Sequence, residues 1–169
     1  AAFFNRPDTF GLGINNGAQL FGALAELIPG AEGWPRFVRN TSDQFEARLS
    51  MVEVLDSPSL FFDGMAGSRL PVVVSSAEGR AEFTAVPGAV AAAVRFVDNH
   101  GQPTSAYPAN PFGSPDGLAG VTTTDGRFTA LMVHPDRSLR NAQLSWAEGD
   151  LRAATGWWRM FTNARTHLG

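Results

Sequence analysis

The stretch Gly11-Leu12-Gly13-Ile14-Asn15-Asn16-Gly17-Ala18-Gln19 sets an apolar run, a tight turn and the start of a helical pattern in immediate succession. Strand, sharp turn and helix in that order form a nucleophile elbow, which lifts one side chain above a sheet beside a helix N-terminus. The tip of such an elbow carries Ser or Cys. Here it is Asn15, and the chain has no Cys. A carboxamide is not an ionisable nucleophile at neutral pH, so the pattern predicts a catalytic scaffold without its attacking atom. A second stretch, Met132-Val133-His134-Pro135-Asp136-Arg137, closes an apolar run. It sets His134 at the carboxyl end of a strand, where ligands and catalytic groups gather in α/β sheets. Asp136 is placed to orient the imidazole and stabilise its charged form. A lone His beside an Asp is more often structural than catalytic, and its weight here comes from occurring together with the elbow.

The elements around these residues follow from periodicity. Phe10 to Ile14 reads as a buried parallel strand, and residues 17–28 as a helix stopped by Pro29-Gly30. Residues 29–44 read as irregular. Phe45 to Leu55 alternates and reads as a long strand with one buried face. Ser57-Pro58 predicts a short helix to about Met65. Strands follow at Leu70 to Val74, Gly79 to Phe83 and Val94 to Asp98, with a helical turn over Ala89 to Ala93. Residues 108–117 read as a loop. Leu118 to Thr122 and Phe128 to Val133 form a hairpin about Thr124-Asp125-Gly126. A last helix spans about Leu151 to Leu168. The expected class is α/β, with a mostly parallel central sheet and an antiparallel insertion. An elbow strand ordinarily has earlier βα units beside it, so the chain reads as one partial domain over 1–169, either a fragment or completed by another chain.

The 169 residues suffice for one core, with 44% hydrophobic and 17% charged residues. No apolar run approaches the length of a membrane span, so membrane insertion is not expected. The net charge is −3, and all 13 basic residues are Arg, scattered among acids. That pattern argues against nucleic acid as a partner. Without Cys there is no disulfide and no zinc-thiolate site. Gly11-Leu12-Gly13 lacks the third Gly and the Lys-Ser/Thr of phosphate loops, so neither metal nor cofactor is expected. Trp157-Trp158 suits either a docking surface or a helix packed on the sheet. The Asn110 to Gly117 loop suits either a clamp on a partner or an ordered surface turn. Arg36, Arg39 and Arg48 suit interdomain ion pairs or a solvated role equally well.

Longer stretches carry a resemblance. Asn16-Gly17, Gln19, Glu26 to Gly30, Trp34-Pro35-Arg36-Phe37-Val38-Arg39-Asn40-Thr41-Ser42-Asp43-Gln44-Phe45-Glu46-Ala47-Arg48, Ser57-Pro58-Ser59-Leu60, Glu78-Gly79-Arg80, Val97-Asp98-Asn99, Tyr107 to Pro111, Gly113-Ser114-Pro115, His134-Pro135, Trp158 to Phe161 and Asn163-Ala164-Arg165 together resemble the C-terminal glutamine amidotransferase domain of the large phosphoribosylformylglycinamidine synthases. The resemblance implies an incomplete flavodoxin-like class I amidotransferase fold and a cytoplasmic location, with an organellar one also open. Members hydrolyse glutamine with a Cys-His-Glu triad and pass ammonia to a synthase site that forms an amidine at the expense of ATP.

By this resemblance His134 matches the triad His, Asp136 falls at the Glu and Asn15 at the Cys. Gly17, Gln19, Asn40, Thr41, Ser42, Phe45 and Glu46 fall at or near the glutamine pocket. Ala18 replaces a second Cys, Ser76-Ala77 replace His-Gly, and Val133 replaces a Pro. Ser75 and Ser76 are the candidates for a substitute nucleophile near the pocket, but neither sits on the elbow. Two expectations follow. One is a degenerate amidotransferase domain kept as a structural or interaction component of a larger assembly, with other protein chains as partners. The other is the C-terminal piece of a working synthase completed by another chain.

Overall fold

A computed structural model describes residues 2–84 and 90–169. After a helical turn α1 (Ala2–Asn5) come β1 (Gly11–Ile14), α2 (Asn16–Ala23), β2 (Arg36–Arg39), β3 (Glu46–Val54), β4 (Arg69–Ser76), β5 (Glu78–Glu82), β6 (Ala91–Phe96), β7 (Leu118–Thr122), β8 (Phe128–Leu131) and α3 (Trp158–His167). Six strands form one sheet in the order β1-β8-β7-β6-β3-β4, and β2 and β5 form a separate pair. The class is α/β as expected, but the strand directions correct the expected mostly parallel sheet. Among the described residues only β1 and β8 run parallel, while β8-β7, β7-β6, β6-β3 and β3-β4 are antiparallel. The reason is connection length. Short loops such as that joining β7 to β8 return the chain directly, whereas parallel neighbours need long crossovers.

The sheet curls. Met132 N–H extends the ladder to Ala119 O at 3.0 Å, and two residues later His134 N–H reaches Val73 O on β4 at 2.8 Å. β4 is the far edge of the sheet, so this contact brings the end of β8 against the opposite edge. Inside the curl lie Val52, Val54, Val72, Val74, Phe96 and Leu131. β3 shows the alternation its sequence predicts, burying Val52 and Val54 on one side while Met51 faces out. Trp157 is buried, with its indole N–H donating to Pro71 O at 2.7 Å, and Trp158 is half exposed, so the tryptophan pair divides between packing and surface. The 108–117 loop is ordered: Asn110 and Ser114 are buried, and Ser114 Oγ donates to Gly79 O at 3.1 Å, pinning β5.

Several local expectations are corrected. The helix predicted to Ile28 ends at Ala23 and gives way to a 3₁₀ turn at Ala25–Leu27. Residues 29–44 are not irregular throughout, because β2 pairs there with β5. The helix predicted from Ser57 is only a 3₁₀ turn, Leu60–Phe62, because Ser59 Oγ bonds Thr129 Oγ1 (2.7 Å) instead of capping. Ala89 lies outside the described residues, but Ala91 to Ala93 belong to β6 and are not helical. Pairing of Ala91 and Ala92 with β7, and Leu55 N–H donating to Ala93 O at 2.9 Å, override the helix propensity of alanine. The last helix begins at Trp158, not Leu151, since the preceding residues pair with 139–142, for example through Asn141 N–H to Ala153 O at 3.0 Å.

An aromatic cluster joins α1, α2 and β8. The Phe128 ring, fully buried, meets Phe3, Phe4 and Phe21 edge to face at centroid distances of 6.1, 5.3 and 6.2 Å. Arg127 clips the same N-terminal segment down, donating to Arg6 O at 2.6 Å and Thr9 O at 2.9 Å. Truncating Phe128→Ala leaves a cavity at this junction, so the variant should lose about 3–5 kcal/mol of stability, read as a lowered midpoint in chemical denaturation.

Candidate functional site

The site lies where β1 ends, β8 ends and the far edge of β4 arrives. Asn15 terminates the β1·β8 ladder, its N–H donating to Leu131 O at 2.8 Å. It then turns into α2 at φ 53 and ψ −109, a positive-φ conformation outside the left-handed helical region and strained for any side chain. The turn requires close backbone approach. A Cβ on Gly13 would stand 2.6 Å from Gly17 O, so only glycine fits beneath the elbow.

Asn15 Nδ2 lies 2.8 Å from His134 Nε2 and 3.2 Å from Ser75 O. His134 Nδ1 lies 3.1 Å from Asp136 Oδ1. Asn15, His134 and Asp136 thus form a relay in which Asn15 comes from 119 positions before His134. The Ser75 carbonyl fixes the direction of the amide, since only an N–H can face it. Nδ2 therefore donates to Nε2, which must be the unprotonated ring nitrogen, and the ring proton sits on Nδ1 facing Asp136. Burial pushes the His134 pKa down; the Asp136 charge opposes this, and the Arg137 charge reinforces it, leaving a net shift below the ordinary value.

A cavity of about 550 Å³ opens beside the relay, lined among others by Asn15, Phe45, Ser76, Glu78, His134 and Arg137. Phe45 is a wall of this cavity, mostly exposed. Gln19 reaches it indirectly, with its amide donating to Phe37 O at 3.4 Å and to the Glu78 carboxylate. Gly17 lies in the first turn of α2 with open space over its Cα. Asn40, Thr41, Ser42 and Glu46 stand behind the lining. Buried Asn40 donates to Ser76 O at 2.9 Å, and Thr41 N–H donates to Phe112 O at 3.1 Å. Buried Glu46 accepts from Ser42 Oγ at 2.6 Å and from Arg48 Nη2 at 2.5 Å. Arg48 also bonds Tyr107 Oη at 2.7 Å, an intradomain role.

Three contributors escaped the sequence reading: the Ser75 carbonyl, Glu78 and Arg137. A backbone acceptor has no residue signature. Glu78 and Arg137 sit in quoted motifs, and only the turn from β4 into β5 and the one after His134 point them inward. Ser76 Oγ accepts from Glu78 N–H at 3.1 Å, which occupies it structurally. Among the described residues no group of three His, Asp or Glu is arranged to hold a metal, and no helix is long and apolar enough to cross a membrane.

An α/β sheet with an elbow, a histidine and an acid at one rim defines a class I amidotransferase-like domain. In fold the chain is similar to PurLQS from Thermotoga maritima, at TM-score 0.67 and 19% identity over 94% of this chain and 61% of that one. It is also similar to a Thermoplasma acidophilum protein described as a GMP synthase component, at TM-score 0.52 and 15% identity over 93% and 56%. The chain thus spans about three fifths of the length of the structures it matches. Residues 1–168 match the CobB/CobQ-like glutamine amidotransferase domain, and the chain belongs to that family.

The relay makes a titration prediction. His134 should titrate below a free histidine, Asp136→Asn should lower its pKa further and Arg137→Ala should raise it, as followed by NMR of the imidazole. With the folded value depressed, the neutral ring contributes stability above the unfolded pKa of about 6.5. That contribution is lost as pH falls from there through the folded pKa.

Proposed function

We propose that this chain is a phosphoribosylformylglycinamidine synthase-like amidotransferase domain that has lost its nucleophile and serves as a structural or interaction component of a larger assembly. The observation that carries the reading is Asn15 itself. It occupies the elbow tip, in the backbone geometry a nucleophile needs, 2.8 Å from the imidazole that would activate one. Its nitrogen donates hydrogen bonds and has no lone pair free to attack a carbonyl, because that pair is delocalised into the amide. Ser75 and Ser76 offer no replacement on the elbow, and the half-buried Ser75 presents its backbone carbonyl to Asn15.

Two further features support a place in an assembly. Among the described residues β1 has β8 on one side and no strand on the other, leaving backbone groups open to pairing. Phe3, Leu20 and Leu27, in α1, α2 and the 3₁₀ turn after α2, are about half exposed. The similarity to PurLQS from Thermotoga maritima makes synthase chains the partners to seek first.

The purified protein should release no glutamate from glutamine above background and should resist labelling by a glutamine-mimicking diazo-ketone. Turnover or labelling that maps to this chain would defeat the reading. Native mass spectrometry of the complex isolated from its source should show further protein chains bound. Synthase domains among them would favour the working-synthase alternative over the purely structural one, and a monodisperse monomer with a cooperative unfolding transition would count against both.

A further inference from the structure

The elbow holds Asn15 in a backbone conformation with a chemical consequence of its own. At ψ −109 the nitrogen of Asn16 lies almost eclipsed with the Asn15 Cβ. A five-membered succinimide ring, made by attack of the following backbone nitrogen on an asparagine side chain, requires this arrangement about the Cα–C bond. Unstrained asparagines seldom hold it, and here the elbow supplies it permanently. The side-chain torsion is the one coordinate left to close the ring. Asn16 opens α2, so its N–H has no intrahelical acceptor and is not tied up by the helix. The departing group is also provided for, because Asn15 Nδ2 sits 2.8 Å from His134 Nε2.

The neighbouring Asn16 makes the contrast. In an unfolded chain Asn16-Gly17 is the more reactive pair, because glycine leaves the attacking nitrogen unobstructed. In the fold Asn16 is helical, and helical ψ turns the Gly17 nitrogen away from the Asn16 side chain.

We propose that Asn15 is a self-modification site: the elbow directs deamidation to Asn15 in place of Asn16, through a succinimide, with His134 relaying the proton. The Asn16 nitrogen bonds to Asn15 Cγ and sheds its proton, which His134 Nε2 takes up and returns to Nδ2. The Cγ–Nδ2 bond breaks and ammonia leaves. Water then opens the imide at either carbonyl, leaving aspartate or isoaspartate at position 15, so that asparagine plus water gives acid plus ammonia. No oxidant, metal or second substrate enters. The proposal rests on the backbone and the relay and not on the assembly reading. A peptide map reports position 15 whatever the glutaminase assay shows.

The test is a timed incubation of the folded protein at neutral pH, followed by digestion and mass spectrometry that separates aspartyl from isoaspartyl products. The same incubation in strong denaturant is the control. Asn15 should convert several-fold faster than Asn16 in the folded protein, and the order should reverse in the unfolded chain. Conversion at Asn16 alone in the folded protein would overturn the proposal. So would an intact Asn15 over the time that converts Asn16 in denaturant. His134→Gln, checked for retained fold by circular dichroism, should slow conversion at Asn15 while leaving the unfolded-state rate at Asn16 unchanged. An unchanged rate at Asn15 would remove His134 from the pathway.

Discussion

One backbone hydrogen bond organises the functional end of this domain: His134 N–H to Val73 O at 2.8 Å. It joins the segment leaving β8 to β4, the opposite edge of the same sheet, and holds the sheet curled. β1 and β8, which carry the relay, are already neighbours, but β4 with Ser75 would otherwise be separated from β8 by the full width of β7, β6 and β3. With the edges joined, Ser75 of β4 arrives beside Asn15, and His134 stands between Asn15 and Asp136. The direction of the Asn15 amide is thus a consequence of main-chain closure. The cavity wall from Ser75 to Glu78 is present only because β4 has been drawn against β8.

Within that frame a carboxamide behaves differently from a thiol. A thiol beside an imidazole gives up a proton and becomes reactive, while an amide keeps its protons and fixes its neighbours. Here both Asn15 N–H groups are engaged, one by Ser75 O and one by His134. The imidazole is held neutral with its proton toward Asp136, and burial favours the same state. The arrangement satisfies the polar groups around Asn15, so the three side chains hold one another in place.

Much of this was legible in the sequence, for identifiable reasons. The elbow was legible because Gly13 and Gly17 flank a polar tip between a strand pattern and a helix pattern. The β7–β8 hairpin was legible from Thr124-Asp125-Gly126. Strand direction was not, because buried apolar runs look alike whether their neighbours run parallel or antiparallel. Ala91 to Ala93 misled because helix propensity is local and sheet pairing is not. Ser57-Pro58 misled because the hydroxyl next along, Ser59, found a buried partner in Thr129. At the site, Asn15, His134 and Asp136 were read directly, whereas the Ser75 carbonyl needed coordinates, since any residue could supply it.

The pairing of β1 with β8 has a kinetic meaning. Gly11 sits opposite Phe128, and Arg127 reaches Arg6 across 121 positions of chain. The β7–β8 hairpin closes a short loop and can form early, whereas β1 must search for its place with most of the polypeptide between them. The elbow therefore stands on a contact whose loop-closure entropy exceeds that of the hairpin beside it.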